Sequence, residues 1–312
     1  MLCCERALLN EMDVNTLTLT PNVPVTGSVN PYPGQADPIS LKIQSLVLRP
    51  CPPPVAHAGG AYRGLTYTNS MEALEEHSQI FTLFEIDFEW TKDGQLIGLH
   101  DWEDVFPRMF GFPIQEPLEF DAFRKLSTTS DFTPLDLHSI EEFLANHQEA
   151  RIITDIKSDN VAALRKIAAF FPNFSEKFIP QVYQPEEFID VRDIGYKDII
   201  WTLYRYPQRQ VASNILFHIR NWEKQYQITP FAITMPVRTV EEGIAQLVAD
   251  TGIPVYVHTV NTCDEYLRLL LLGASSIYTD LLDISTCYAA STHVQTVQYE
   301  KGTPINFPCF FR

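Results

Sequence analysis

Short runs of apolar and β-branched residues alternate with helix-like segments along most of this chain. Eight of these runs predict strands, at residues 54–57, 83–88, 151–156, 178–183, 198–203, 231–234, 254–258 and 276–279. Between them, helical patterns occupy 70–77, 140–146, 160–170, 185–194, 211–222, 240–249 and 263–272. Strands that alternate with helices indicate a parallel sheet, and eight of them favour a closed (β/α)8 barrel. A doubly wound open sheet would give the same alternation.

One segment interrupts this alternation after the second strand. A Lys-Asp-Gly turn precedes a short extra strand at 95–99, which ends in His100 and Asp101. The following stretch, 105–134, is aromatic and punctuated by proline, and it is predicted to be a long loop. The predicted fold class is therefore α/β, a (β/α)8 TIM barrel with a small insertion after the second strand.

The two ends of the chain differ from this barrel. Residues 1–50 are rich in proline and polar residues without a sustained period, so we predict an irregular lead-in that ends at a proline cluster. The barrel is expected to occupy 51–290 and a C-terminal tail 291–312. The lead-in has early acids and no apolar segment followed by a small-residue cleavage site, so a cytoplasmic location is expected.

Composition narrows the classes of partner. The 312 residues are 45% hydrophobic, which is enough for a large core, and they carry a net charge of −16. Such a charge repels nucleic-acid backbones and anionic membranes, so neither is an expected partner. No run of about 18 apolar residues is present, so no transmembrane helix is predicted. The six cysteines show no CxxC spacing, and neither a zinc site nor a disulfide framework is predicted.

The second predicted strand carries two acids at alternate positions, in the stretch FEIDFEW. Side chains two residues apart on a strand point to the same face, so Glu85 and Asp87 lie together. Because Phe84, Ile86 and Phe88 are apolar, they are expected to face the helices. The acids then face the barrel interior near its mouth, where barrel enzymes place their chemistry. A structural pair neutralised by a lysine or arginine is the alternative.

The third predicted strand repeats this arrangement. Asp155 and Lys157 again stand two apart, which adds a third carboxylate to the same mouth. Three oxygen donors on neighbouring strands suit one hard divalent ion, Mg²⁺ or Ca²⁺, so Glu85, Asp87 and Asp155 are the predicted ligands. Lys157 is predicted to contact phosphate oxygens, or instead to neutralise one of the acids.

Two histidines end neighbouring strands of the predicted barrel. His57 ends the first strand, and His100 ends the hairpin beside Asp101, which is placed to orient its ring. Near a hard ion, these histidines fit the general acid and general base of phosphoryl transfer better than they fit metal ligation. Taken singly, each histidine is better explained as a capping or core residue.

Taken in order, these motifs resemble the glycerophosphodiester phosphodiesterase family. The matching stretches are VAHAGG, YTNSMEAL, FEIDFEWTKDGQLIGLHD, TPLDLHSIEEFL, RIITDIK, VYVHTVN and GASSIYTD, and the match as a whole covers about residues 54–283. The resemblance implies a TIM barrel, hydrolysis of a phosphodiester to an alcohol and a phosphomonoester, and one divalent metal ion. It also implies that His57 and His100 are the acid–base pair, with Lys157 near the phosphate.

Some positions depart from the family pattern. Ala58 stands where the family has an arginine on the phosphate, and either Arg63 replaces that arginine or the contact is absent. His258 stands where the family has a tryptophan near the glycerol, and it is predicted to contact the substrate. Arg205, at the mouth after the fifth strand, is a further predicted phosphate ligand. Asp155 is one methylene shorter than the usual glutamate.

These departures predict retained chemistry on an altered substrate. The expected function is metal-dependent hydrolysis of a small-molecule phosphodiester, glycerophosphodiester-like or sugar-containing, by histidine acid–base catalysis. Two alternatives remain open from the sequence. One is an inactive barrel that binds a sugar or polyol phosphate, and the other is a phospholipase-type lyase that cyclises a lipid phosphodiester.

Overall fold

The structure is a computed structural model that describes residues 52–126, 128–129 and 131–291, with side chains as far as Cys287. The predicted lead-in at 1–50 lies outside the described residues, as does the predicted tail apart from its first residue. In the described part of the chain, no helix combines the length and the apolar character needed to cross a bilayer.

Eight parallel strands close into a barrel. The described residues form nine strands, which are β1 (Val55–Ala56), β2 (Leu83–Trp90), β3 (Leu96–Gly98), β4 (Arg151–Ile156), β5 (Phe178–Val182), β6 (Ile200–Thr202), β7 (Ala232–Pro236), β8 (Val255–His258) and β9 (Ser276–Thr279). β1 pairs with both β2 and β9, which closes the ring, and β3 pairs antiparallel with β2 outside it. The predicted barrel with an extra strand is confirmed, and the open-sheet alternative is wrong.

Helices fill the connections between the strands. They are α1 (Met71–His77), α2 (Val105–Phe110), α3 (Phe120–Phe123), α4 (Leu137–Asn146), α5 (Asn160–Phe170), α6 (Phe174–Lys177), α7 (Glu187–Ile194), α8 (Ala212–Tyr226), α9 (Val237–Glu241), α10 (Ile244–Ala249), α11 (Cys263–Leu271) and α12 (Ile284–Ser291). The predicted helix at 240–249 is two helices, because Gly243 adopts a φ of 84° and breaks it.

Alternation along the strands separates two apolar regions. One interior residue from each barrel strand forms a ring that fills the lower barrel: Val55, Leu83, Ile153, Ile179, Ile200, Ala232, Tyr256 and Tyr278. The residues that face outward, such as Phe84 and Ile86, pack in the larger core beneath the helices. Each large side chain buried in this way contributes about 1.5–3 kcal/mol. Toward the carboxyl ends of the strands, the interior side chains beyond this ring include the acids Glu85 and Asp87.

The insertion after β2 has its own small core. The segment predicted as a loop at 105–134 contains α2 and α3, so that prediction is wrong in detail. Its aromatic residues form a cluster separate from the main core, in which Phe106 and Phe110 stack with centroids 4.6 Å apart. Both helices are short, at 6 and 4 residues, so they offer little of the repeated pattern that marks a helix in sequence.

One disulfide contradicts the cysteine prediction. Cys263 at the start of α11 is bonded to Cys287 in α12, with their Cα atoms 5.1 Å apart. The two cysteines stand 24 residues apart in sequence, so no short spacing marks them as a pair. Packing of the last two helices brings them within bonding range.

Candidate active site

Two carboxylates of β2 point into the barrel. Glu85 and Asp87 share the inward face with Leu83 of the interior ring, while Phe84 packs outward. Glu85 is 2% exposed and Asp87 is 1% exposed. Two buried acids are costly unless they are paired, so their partners determine what this site can do.

β4 adds a third carboxylate and a lysine. Asp155 lies opposite Asp87 in the register of the two strands, and one oxygen from each of Glu85, Asp87 and Asp155 falls within 4.8 Å of the others. The Lys157 ammonium bridges both aspartates, with Nζ 2.6 Å from Oδ1 of Asp87 and 2.8 Å from Oδ2 of Asp155. Lys157 therefore neutralises the two aspartates, which is one of the two roles predicted for it from the sequence. Its contact with phosphate stays a prediction.

Two bent backbone segments support the acids of β2. The amide of Ala58 donates to Oε2 of Glu85 at 2.8 Å. Asn69 forms two hydrogen bonds of 3.0 Å with Asp87. Its Nδ2 donates to Oδ2 of Asp87, and its Oδ1 accepts from the backbone amide of Asp87. Ala58 and Asn69 have φ angles of 49° and 43°, which non-glycine residues rarely adopt. Backbone strain of this kind often occurs at functional sites.

His57 lies between two acids at the end of β1. Its Nδ1 donates to Oδ1 of Asp280 at 2.8 Å, and its Nε2 is 4.0 Å from Oε2 of Glu85. The other oxygen of Asp280 accepts a bond of 2.6 Å from Nδ2 of Asn261, on the loop after β8. From the sequence alone, Asp280 is predicted to bond loop amides after the last strand, and its bond to His57 is missed. The signal was present, because Asp280 follows the last strand on the inward face and that strand closes against β1.

His100, just after β3, forms a similar pair near His57. Its Nδ1 donates to Oδ2 of Asp101 at 2.6 Å, and Oδ1 of Asp101 accepts from the Val105 amide at 2.8 Å. Tyr67 stands between the histidines, with its ring centroid 4.8 Å from that of His57 and 4.7 Å from that of His100. The site thus holds two histidines, each oriented through Nδ1 by a carboxylate.

The electrostatics favour protons in this cluster. Burial is the strongest single influence on His57 and opposes its charge. The bond to Asp280 and the nearby Glu85 and Asp87 outweigh it, however, and raise the pKa of His57 to about 9. Burial, followed by the charge of Asp87, raises the pKa of Glu85 to about 8. In Asp155, burial alone would raise the pKa, but Lys157 and Tyr183 hold it below its usual range.

The remaining predicted site residues lie at three different places. Arg63 is exposed on a turn, with its guanidinium carbon 5.1 Å from the Tyr62 ring centroid. Arg205 lies at the mouth, where its Nη1 donates to the carbonyl of Lys157 at 3.2 Å. His258 ends β8 with its Nε2 buried and without a hydrogen-bond partner among the described residues. Phosphate binding by either arginine and substrate contact by His258 stay predictions.

The donor set fits a hard divalent cation. All three ligand groups are carboxylates, and one ammonium is shared between two of them. Carboxylate oxygens are the ligands that Mg²⁺ and Ca²⁺ prefer. Burial, followed by the charge of Asp87, raises the pKa of Glu85, and a divalent ion at this position would favour the charged form of the carboxylate instead.

Comparisons with known proteins agree with this fold. No family model matches the chain, and no curated protein matches it. A solved glycerophosphodiester phosphodiesterase from Parabacteroides distasonis is 16% identical with a TM-score of 0.57, covering 76% of this chain and 97% of that chain. A phosphodiesterase from Oleispira antarctica, in complex with the product sn-glycerol-3-phosphate, is 15% identical with a TM-score of 0.58, covering 77% and 97%.

A third structure extends the same likeness. The glycerophosphodiester phosphodiesterase from Thermotoga maritima is 17% identical with a TM-score of 0.53, covering 75% of this chain and 97% of that chain. At this level of identity the likeness is one of fold. The chain shares the (β/α)8 barrel of the glycerophosphodiester phosphodiesterase structures, and it carries an acidic cluster and two histidine–carboxylate pairs at the barrel mouth.

Proposed function

We propose that this chain is a metal-dependent phosphodiesterase that hydrolyses a small-molecule phosphodiester by histidine acid–base catalysis. The observation that carries the proposal is the pair of histidines, His57 and His100, each oriented through Nδ1 by a carboxylate beside three clustered acids. Such pairs hold the ring in one orientation and leave Nε2 for proton transfer.

The two histidines take different parts in the reaction. His57 is buried and keeps its proton at neutral pH because its pKa is raised to about 9, so it donates to the leaving alcohol oxygen. His100 is 35% exposed in its side chain and accepts the proton of the attacking water or substrate hydroxyl. Asp280 and Asp101 stabilise whichever imidazolium forms.

Glu85, Asp87 and Asp155 hold the divalent ion, Mg²⁺ or Ca²⁺, in this proposal. A divalent ion held there would supply Lewis-acid polarisation of the phosphate and positive charge for the transition state. Lys157, with its Nζ 2.6 Å from Oδ1 of Asp87, would supply a further positive charge to a phosphate oxygen. Arg63 and Arg205 are the further proposed phosphate contacts.

The substrate is proposed to have a hydroxylated leaving group, such as a sugar. His258 supports this, because burial and the charge of His57 lower its pKa to about 4, which leaves a neutral imidazole at neutral pH. The ring centroid of His258 is 5.7 Å from that of Tyr204, so the polar imidazole lies beside the aromatic ring of the tyrosine. Ala58 is fully buried at a positive φ, so an arginine there would have to displace its neighbours.

The partner and location follow from the same proposal. The proposed partner is a small-molecule phosphodiester, and the net charge of −16 argues against nucleic acid as a partner. A cytoplasmic location stays a prediction. The bond between Cys263 and Cys287 argues against a strongly reducing compartment, where such bonds are rare.

The test compares His57→Gln and His100→Gln with a matched control, His147→Gln. His147 also contacts a carboxylate, with Nε2 3.0 Å from Oε2 of Glu75, but it lies on the outer layer after α4. We expect either site variant to lower turnover by about 10²–10⁴-fold and the control to keep it. Phosphorus NMR of the products separates hydrolysis, which gives a monoester, from cyclisation. Wild-type turnover in a site variant removes that histidine from the mechanism.

A further inference from the structure

Asp155 differs from the other two acids in its partners. The hydroxyl of Tyr183 donates to its Oδ1, and the hydroxyl of Tyr204 lies 2.9 Å from Oδ1 and 3.2 Å from Oδ2. Lys157 donates to Oδ2 at 2.8 Å. By the shortest of these hydrogen bonds, Oδ1 of Asp155 accepts from two tyrosines and Oδ2 accepts from a lysine.

Both tyrosines are held in place independently of Asp155. The guanidinium of Arg205 lies over both rings, 4.4 Å from the centroid of Tyr183 and 5.2 Å from that of Tyr204. The backbone amide of Tyr183 donates to Glu187 of α7 at 2.7 Å. A tyrosine hydroxyl ordinarily keeps its proton at neutral pH, so each of the two remains a hydrogen-bond donor. Asp155 therefore meets two fixed donors.

The acceptor positions on Asp155 determine which of its two oxygens can bind a cation. Each carboxylate oxygen has two lone-pair positions. Tyr183 and the shorter contact of Tyr204 take both positions on Oδ1, while Lys157 takes one on Oδ2 and the single proton of Tyr204 reaches Oδ2 only at the longer distance of 3.2 Å. Oδ2 is the oxygen with a position left for a cation.

We propose that Tyr183 and Tyr204 are positioning residues that make Asp155 bind the divalent cation through Oδ2 alone and thereby set the choice of cation. This inference rests on the proposed cation site. Mg²⁺ takes six ligands in near-ideal octahedral geometry and is satisfied by single carboxylate oxygens. Ca²⁺ takes six to eight oxygens and often uses both oxygens of a carboxylate. Holding Oδ1 away from the ion favours Mg²⁺ over Ca²⁺.

The experiment titrates Mg²⁺ and Ca²⁺ separately into the metal-stripped full chain by calorimetry, without substrate. Tyr204→Phe, Tyr183→Phe and the double variant remove the hydroxyls and keep the rings. Tyr206→Phe is the matched control, because the Tyr206 hydroxyl bonds Gln208 at 3.2 Å. Circular dichroism before titration checks that each variant is folded, and Tyr204→Phe carries the test alone if variants at Tyr183 fail to fold.

We expect the Ca²⁺-to-Mg²⁺ affinity ratio to rise about 10–100-fold in the double variant, the range typical for groups that orient metal ligands. Tyr206→Phe should leave the ratio unchanged. An unchanged ratio in folded Tyr204→Phe and the double variant overturns the proposal, as does a wild-type chain that binds neither ion. A shifted ratio in a chain that turns over no phosphodiester supports this inference while contradicting the proposed hydrolysis, so the two failures are distinguishable.

Discussion

Replacing Lys157 with methionine tests the carboxylate cluster without any assumption about substrate. Methionine keeps much of the length of the lysine side chain and removes its charge. Lys157 lies within 2.8 Å of both Asp87 and Asp155, and its side chain is 12% exposed. Breaking a buried ion pair by removing one partner costs about 3–5 kcal/mol, because the other partner keeps an uncompensated charge. We expect a loss of that size in the metal-free protein.

A divalent ion should reverse much of this loss. An ion at about 100 times its dissociation constant stabilises a folded protein by about 2.7 kcal/mol. The variant lacks the competing ammonium, so we expect it to bind the ion at least tenfold more tightly than wild type does. Its gain in free energy of unfolding at the same ion concentration should exceed the wild-type gain by about 1.4 kcal/mol.

The assay is urea unfolding of wild type and Lys157→Met, each in chelator and in excess Mg²⁺. Lys177→Met is the matched control, because Lys177 is 9% exposed and its ammonium donates to the backbone carbonyls of Gln148 and Ala150. The loss in free energy of unfolding caused by Lys177→Met should be the same with and without the ion. Equal losses for Lys157→Met in both conditions would refute the reasoning, since they would mean that no cation joins these acids.

Three further predictions concern pH, the disulfide and the substrate. In the folded protein, the pKa of His57 is about 9 and that of Glu85 is about 8, against ordinary pKa values of 6.5 and 4.5. Both groups therefore hold their protons more tightly in the folded protein than in the unfolded chain. The urea midpoint of the metal-free protein should therefore fall as pH rises from about 4.5 to 9, less steeply in Glu85→Gln, and a midpoint that rises contradicts this. Replacing both Cys263 and Cys287 with serine should lower the free energy of unfolding by about 2–4 kcal/mol. Equal stability of the wild type and this variant would contradict a stabilising bond between the two cysteines. His258→Phe should shift kcat/KM toward glycerophosphocholine and away from a sugar-containing diester, whereas an unchanged ratio would place the leaving group elsewhere.

The sequence predicted the parts of the site that follow from alternation within a strand. Glu85 and Asp87 could be assigned to the inward face because their neighbours are apolar, and Asp155 followed the same rule on β4. Contacts between distant segments gave no such signal. The bond from His57 to Asp280 joins residues 223 apart, and it depends on closure of the barrel between its first and last strands.

Other features depended on packing rather than on pattern. Tyr183 and Tyr204 follow separate strands, and only the curvature of the barrel brings both hydroxyls to Asp155. The bond between Cys263 and Cys287 depends on how the last two helices pack. In each case the residue type was visible in the sequence and its partner was not.

Phosphorus NMR of the purified full chain incubated with phosphodiesters tests the central claim most directly. The substrates are glycerophosphocholine and a sugar-containing diester, each with Mg²⁺, with Ca²⁺ and with excess chelator. We predict that a phosphomonoester signal grows with at least one ion, is lost in chelator and returns when the ion is restored. Absence of any new phosphorus signal with either ion, from a folded chain, would contradict the account.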